Sequence, residues 1–263
     1  MKKLGLALGG GGAKGIAHIA FLERLDEMGV TPSVVSGTSM GAIVAAVYCS
    51  GQKAGDMMAA LERLDEKASR RKKGGLFLRL STATPTYRGV FMKRFIDSLL
   101  PVKTFEELKI PLKIVAVDFY TLEEKVFTSG SLLDAVMASA ALPPGVYPYQ
   151  IGKNYYIDGG AVNLVPTTVI KDECDVLAGI DVSSVVPTKP SKKPNLKNAR
   201  TAMIVASSKA LLAYKQAEAG TDLFYKVIFD NIGTLDFFKF REAYATGTKY
   251  VERFENEIKK KLK

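Results

Sequence analysis

The chain has 263 residues, 47% of them hydrophobic and 24% charged, with 37 Lys+Arg against 27 Asp+Glu and a net charge of +10. This composition excludes a disordered chain and describes a globular protein able to bury a sizeable core, and no run reaches the roughly 18–20 apolar residues of a membrane span. Two cysteines and one histidine exclude a disulfide framework and a zinc site of the usual composition. They fit a reducing, cytoplasmic setting, with no metal or organic cofactor expected.

Met1-Lys2-Lys3 before an apolar stretch faintly imitates a signal peptide. The stretch is too short, and glycines stand where a cleavage site would be. Leu4–Leu8 reads instead as a buried first strand. Gly9–Gly12 follow, and Ile16, Ile19, Ala20, Leu22 and Leu25 then recur at helical spacing up to a stop at Gly29. Val34–Val35 predicts a second strand running into Gly37-Thr38-Ser39-Met40-Gly41, and Ala42–Cys49 an apolar helix that buries Cys49. This strand–helix–strand–turn–helix opening implies right-handed crossovers and a mainly parallel sheet.

Asp56–Lys73 predicts an amphipathic helix ending in the basic run Arg70–Lys73, followed by Gly74-Gly75 and Leu76-Phe77-Leu78. Arg88–Leu100 reads as a helix stopped by Pro101. Ile114–Asp118 and Lys125–Phe127 read as paired strands around a turn at Leu122–Glu124. Ser131 caps a helix to Ala140, halted by Pro143-Pro144. Tyr155–Ile157 and Val176–Val182 are strands, and Pro187–Asn198, rich in Pro and Lys, is a flexible surface loop. A helix over Ala199–Ala219, a strand near Leu223–Phe229 and a final helix from about Arg241 complete the chain. Nothing divides it, so one domain over residues 1–263 is expected. Its core is about 1–185, with C-terminal helices and a strand over 199–263.

Four features carry chemistry. Gly37–Gly41 is a G-x-S-x-G, whose small residues permit a sharp strand-to-helix turn that presents the Ser39 hydroxyl above the sheet. The pattern is common alone; its place between an apolar strand and an apolar helix gives it weight. Gly9–Gly12, between a strand and a helix, exposes N–H groups suited to an anion. A dinucleotide fingerprint lacks its acid at the end of the second strand. A Walker loop fails because no Gly precedes Lys14 and Gly15 follows it. An oxyanion hole remains, beside the plain-turn reading. The only histidine, His18, precedes Ser39 and opens the first helix, so it reads as a packing or hydrogen-bonding residue and not as the base of a Ser-His-Asp triad. Asp158-Gly159-Gly160 after an aromatic strand offers a carboxylate in its place. With an ordinary pKa near 3.9, it would need alignment and partial burial to serve as a base.

Together these pieces resemble the patatin-like phospholipase family, whose members share a G-G-G-x-[KR]-G loop, a G-x-S-x-G elbow, an A-S-x-x-x-P segment and a D-G-[GA] turn. Here they stand as Gly10–Gly15, Gly37–Gly41, Ala138–Pro143 and Asp158–Gly160, in that order. The resemblance runs from residue 1 to about 185 and more loosely beyond. It implies a three-layer α/β sandwich with a mainly parallel central sheet, and a Ser–Asp dyad with Ser39 as nucleophile and Asp158 as base. It implies an oxyanion hole among the N–H groups of Gly10, Gly11 and Gly12, Gly11 and Gly12 foremost, joined by Met40 through the elbow geometry. Lys14 stands where many relatives carry Arg, and two roles stay open for it, contact with an anionic lipid head group or support of the loop.

The expected activity is serine acyl hydrolysis of a lipid or lysophospholipid through an acyl-enzyme. Soluble carboxylesterase or thioesterase action, acyl transfer, and a non-catalytic binding role are the alternatives. Expected partners are the acyl-ester substrate and, through the positive charge and the Arg70–Lys73 run beside Leu76–Leu78, the periphery of an anionic membrane. No nucleic-acid signature occurs. Oligomeric state is not legible. Gly74–Pro85 and Pro187–Asn198 are the candidate lid segments.

Overall fold

The computed structural model describes residues 2–69, 84–184 and 195–263. The basic run at 70–73, Leu76–Leu78, most of the first lid candidate and residues 187–194 of the second lie outside the described residues.

β1 (Leu4–Leu8) leads through a tight 3-10 segment (Gly12–Ala17) into α1 (His18–Glu27), and β2 (Val34–Thr38) leads through Ser39 into α2 (Met40–Cys49). α3 (Ala54–Ser69) and α4 (Pro85–Leu99) follow, then β3 (Leu112–Asp118), β4 (Glu124–Phe127) and α5 (Leu132–Ser139). The chain closes with β5 (Tyr149–Ile151), β6 (Asn154–Asp158), β7 (Val176–Asp181), α6 (Leu196–Ala219), β8 (Leu223–Lys226), α7 (Phe240–Thr248) and α8 (Val251–Leu262).

The eight strands form one sheet in the order β5, β6, β3, β2, β1, β7, β8, with β4 also paired to β3. β2, β1, β7 and β8 run parallel to β3 and to one another, while β4 and β6 are antiparallel to β3. Leu4, Leu6 and Leu8 of β1 enter the larger core beneath α1, α2, α4 and α5; Ala7, Val34 and Leu177 face the smaller core on the other side, where Leu212 and Ala219 of α6 cover them. Alternation along the strands thus builds three layers, helix, sheet and helix.

The register of β3 decides where the site forms. β2 and β4 both pair with Ile114 and Val115, so they occupy opposite edges of β3. β4 and β6 both pair with Ala116 and Val117, so they too occupy opposite edges. β6 therefore takes up the edge that β2 leaves. β2 ends with Thr38 opposite Val115, and β6, running the other way, ends with Asp158 opposite Ala116.

Three elements depart from the sequence expectations. The Pro/Lys-rich loop stops short of Asn198, because α6 begins at Leu196. β5 is an extra strand, a short hairpin partner of β6. The single C-terminal helix is two helices broken at Lys249–Tyr250; before the break, Gly247 lies against the backbone of Ala17, where a Cβ would come within 2.6 Å of its carbonyl oxygen. The segment is anchored on α1 by an edge-to-face Phe21–Phe254 pair with centroids 5.2 Å apart and an Arg24–Glu255 ion pair at 2.9 Å.

The elbow leaves no room for side chains at its glycines. A Cβ on Gly37 would stand 2.7 Å from Ala42 Cα, and one on Gly41 would overlap the Leu8 carbonyl. Gly41→Ala should lower the unfolding free energy by about 1–3 kcal/mol, measured as a shift in denaturant midpoint at unchanged slope.

Candidate active site

Ser39 sits at the N-cap of α2 with φ 56° and ψ −123°, a positive-φ conformation that non-glycine residues rarely hold. The strain lifts its hydroxyl out of the sheet, where Oγ donates to Asp158 Oδ2 at 2.6 Å. The other carboxylate oxygen, Oδ1, accepts from the Gly160 N–H at 2.8 Å. Asp158 is buried, and burial pushes its carboxyl up to about 6 against the pull of the Ser39 and Gly160 hydrogen bonds. Gly159 follows as glycine because a Cβ there would collide with the Val115 carbonyl.

Ser139, at the end of α5, has no role in the sequence reading beyond its place in the A-S-x-x-x-P segment. Its buried hydroxyl accepts from the Ser39 N–H at 2.8 Å and donates to the Val115 carbonyl at 2.5 Å. It is inserted where the β2–β3 ladder would otherwise continue. The hydroxyl satisfies both backbone groups while allowing β2 to turn away at Ser39. Only a pairing 100 residues apart in sequence reveals this; no local pattern carries it.

The glycine loop divides its N–H groups. Gly9 donates to Ile180 O at 3.0 Å and Gly10 to Leu164 O at 2.9 Å. Gly10 is thus corrected from candidate oxyanion donor to a structural link, although a Cβ there would come within 3.2 Å of the Ser39 Cβ. Among the described residues none accepts from Gly11 or Gly12. Gly12 adopts φ +59°, and a Cβ there would overlap the Thr234 carbonyl, which already accepts from Ala13 at 2.9 Å. Met40 is the first residue of α2, where helical N–H groups have no intrahelical acceptor.

Lys14 is buried. Its ammonium donates to the Ser183 carbonyl at 3.0 Å and lies 6.0 Å from the Phe229 ring. Burial lowers its pKa against the attraction of Asp181. It does not line the cavity, which corrects the head-group expectation in favour of loop support. His18 is fully buried, with Nε2 donating to the Gly9 carbonyl at 2.8 Å; burial lowers it to about 4, so the ring is neutral and fastens the base of the loop.

Ser39, Gly12 and Met40 open onto a cavity of about 400 Å³ walled by α4, residues 140–146 and Thr234–Phe237. Arg88, the one charged residue among the described residues of its lining, is buried and donates to Gly145 O at 2.8 Å. A smaller apolar space of about 60 Å³ continues between α2, α3 and α4. Met40, Ile43, Met92 and Phe237 line both. Among the described residues no group of three or more His, Cys, Asp or Glu side chains is placed to hold a metal.

Comparison with known proteins matches residues 6–170 to the patatin-like phospholipase family. An NTE family protein of Mycobacterium bovis is 32% identical over 174 residues, 66% of this chain and 29% of its own length. A protein of Kluyveromyces lactis named lysophospholipase NTE1 is 27% identical over 98% of this chain and 19% of its own length. The chain thus spans less than a third of either relative. Among solved structures, VipD from Legionella pneumophila superposes with a TM-score of 0.56 at 16% identity, covering 97% of this chain and 66% of that one, a likeness of fold.

Two outcomes follow from this geometry. The folded state holds the Asp158 proton more tightly than the unfolded chain, whose carboxyl keeps its ordinary value. Stability should therefore fall as pH rises from about 4 to about 6, and above that the buried charge costs on the order of 2–3 kcal/mol. Asp158→Asn should raise the unfolding free energy near pH 7.5 by a comparable amount, less whatever the amide loses in bonding Ser39, as read by denaturant titration of both proteins. Ser139→Ala should slow labelling of Ser39 by a fluorophosphonate by about 10–100-fold, measured as the rate of adduct formation by intact mass.

Proposed function

The chain belongs to the patatin-like phospholipase family, and from that premise we propose that it is a serine acyl hydrolase that cleaves lipid or lysophospholipid esters with a Ser39–Asp158 dyad. The observation that carries the proposal is the 2.6 Å bond from a strained, elbow-mounted serine hydroxyl to a buried carboxylate. Burial that lifts Asp158 to about 6 makes it a stronger base than a solvated aspartate and still leaves it ionised at neutral pH.

In the first half-reaction Ser39 Oγ attacks the ester carbonyl as its proton passes to Asp158. The negative charge gathers on the carbonyl oxygen, and the N–H groups of Gly11, Gly12 and Met40 are the donors we assign to it, having no acceptor of their own among the described residues. The alkoxide leaves with the proton from Asp158, and an acyl-Ser39 ester remains. Water, deprotonated by the same carboxylate, attacks that ester; the acid departs, and the proton returns to Ser39. His18 takes no part, being neutral, buried and bonded to Gly9.

The cavities support a lipid as substrate. The described lining of the Ser39 cavity is largely apolar, with Met40, Ile43, Met92, Leu142, Val146, Leu235 and Phe237 around Ser39, Thr234 and the bonded Arg88. The adjoining space is lined, among the described residues, by apolar side chains with Gln52 the one polar residue. Met40 and Met92, at the boundary between the two, are unbranched and adaptable. An acyl chain attached to a carbonyl at Ser39 has its dry continuation there.

A fluorophosphonate probe should add one mass adduct to the wild type and none to Ser39→Ala. Asp158→Asn should keep the fold and lose turnover by about 10³-fold. In the wild type kcat/KM should fall about tenfold per pH unit below the Asp158 value of about 6. Retained turnover in Asp158→Asn would remove the dyad.

A further inference from the structure

Several of the large apolar side chains left exposed lie on segments at the end of the molecule that holds Ser39. Tyr120 and Leu122, 68% and 69% exposed, lie on the turn that follows β3. Leu142 and Leu235, 41% and 38% exposed, also line the Ser39 cavity, so the exposed apolar surface is continuous with the cavity mouth. Tyr147 and Phe238 extend this rim. All these segments stand where β3 ends or around the Ser39 cavity at the C-terminal end of β2.

Leu122 is placed against its own folding preference. It has φ +61°, a left-handed conformation that Gly or Asn adopts at less cost, and its side chain gains little burial in return. Neither backbone geometry nor packing accounts for a leucine at this position, whereas contact with an apolar phase outside the protein does.

α6 supplies charge at the same end. It joins the parallel neighbours β7 and β8 and so runs back along the sheet. Its C-terminal end is held where Ala219 packs with Leu177 and Asp222 N–H donates to Leu177 O at 3.0 Å. Its 24 residues span about 36 Å, against about 20 Å for the six residues of β7. The excess therefore projects past the strand ends on the side of Ser39. Lys215, paired with Glu124 at 2.9 Å, ties the shaft of the helix to β4. Met203 and Ile204, in the projecting half, are exposed. From Leu196 to Ala217 the sequence holds Lys197, Arg200 and Lys209 besides the paired Lys215, and no acidic residue.

We propose that this end of the molecule is a docking face for an anionic lipid surface, with the turn bearing Tyr120 and Leu122 entering the apolar layer beside the cavity mouth and α6 lying along the head groups. An apolar rim with an adjoining cationic helix suits a surface that is anionic outside and apolar beneath. The inference takes the nature of the surface from the lipid-hydrolase reading above. It goes further in fixing which face meets the lipid, so that substrate passes into the cavity without crossing water. The basic run Arg70–Lys73 is not needed for it.

The chain contains no tryptophan, so one introduced at the turn reports on that position alone. Tyr120→Trp should show blue-shifted emission on adding phosphatidylglycerol vesicles and much less on adding phosphatidylcholine vesicles. Asp172→Trp, on an exposed segment before β7 at the opposite end, should show no shift. Leu122→Asn, which suits the positive φ, should keep the unfolding midpoint and lower vesicle co-sedimentation about tenfold. Hydrolysis of dissolved p-nitrophenyl butyrate should stay unchanged. Undiminished vesicle binding by Leu122→Asn, or a shift at position 172 and none at 120, would overturn the docking face. So would a self-association that Leu122→Asn abolishes while the wild type ignores vesicles. Vesicle binding as expected, in a wild type that hydrolyses neither butyrate nor lipid, would leave the face standing and remove the acyl-hydrolase reading instead.

Discussion

Two strands meeting end to end on one edge of β3 is the constraint on which the site depends. β2 arrives parallel and stops at Val115; β6 arrives antiparallel and stops at Ala116. The residues that follow or close those strands, Ser39 and Asp158, are thereby neighbours although 119 positions apart. At the junction a normal ladder cannot continue, and the Val115 carbonyl and Ser39 N–H would both be left without partners. The Ser139 hydroxyl fills that gap, so one side chain from α5 both completes the sheet's hydrogen bonding and holds Ser39 in its strained turn.

The same junction has an energetic consequence. Asp158 is taken out of water, and among the described residues a hydroxyl and a backbone N–H stabilise its charge and no cation bonds it. Its raised pKa records that loss of solvation. Lys14 and His18 are engaged under the glycine loop, Lys14 on the Ser183 carbonyl and His18 on the Gly9 carbonyl. Folding stability is given up at the carboxylate, and basicity toward the serine is what remains. The rest of the core, with its interleaved leucines and the Phe21–Phe254 pair, supplies the stability that this arrangement draws on.

Apolar surface is unevenly distributed as well. The strand interiors are buried on both faces, yet the turn after β3, the segment around Leu142 and the projecting half of α6 keep large apolar side chains in solvent. Strand ends in a parallel sheet are where loops converge and where a cavity can open without disrupting the ladder. The cavity and the exposed rim thus share one cause, the direction in which the strands run. Among the described residues no helix is long and apolar enough to cross a membrane.

Much of this was legible in the residues themselves. Gly37 and Gly41 flank Ser39 because backbone passes where a Cβ would stand, and Asp158-Gly159 needs its glycine for the same reason. Such steric demands are local and leave a local pattern, as do the apolar runs of β1 and β7 and the Ser131 cap, which accepts from Asp134 N at 3.3 Å. Choices among equivalent groups were not legible. Four consecutive glycines look alike in sequence, and only the position of Leu164 decides that Gly10 is engaged, while Gly11 and Gly12 find no acceptor among the described residues and Gly12 lines the cavity. Lys14 reads equally as ligand or support until Ser183, 169 residues away, claims it. The break between α7 and α8 at Lys249–Tyr250, next to the tight Gly247–Ala17 contact, and the part played by Ser139 likewise depend on partners distant in the chain. By itself the sequence determined which residues can turn, bury or react, since those properties belong to single side chains and their near neighbours. Which of them meet was decided by the tertiary structure alone, because hydrogen bonds are short and directional and their partners are brought within reach only when the strands take their order in the sheet.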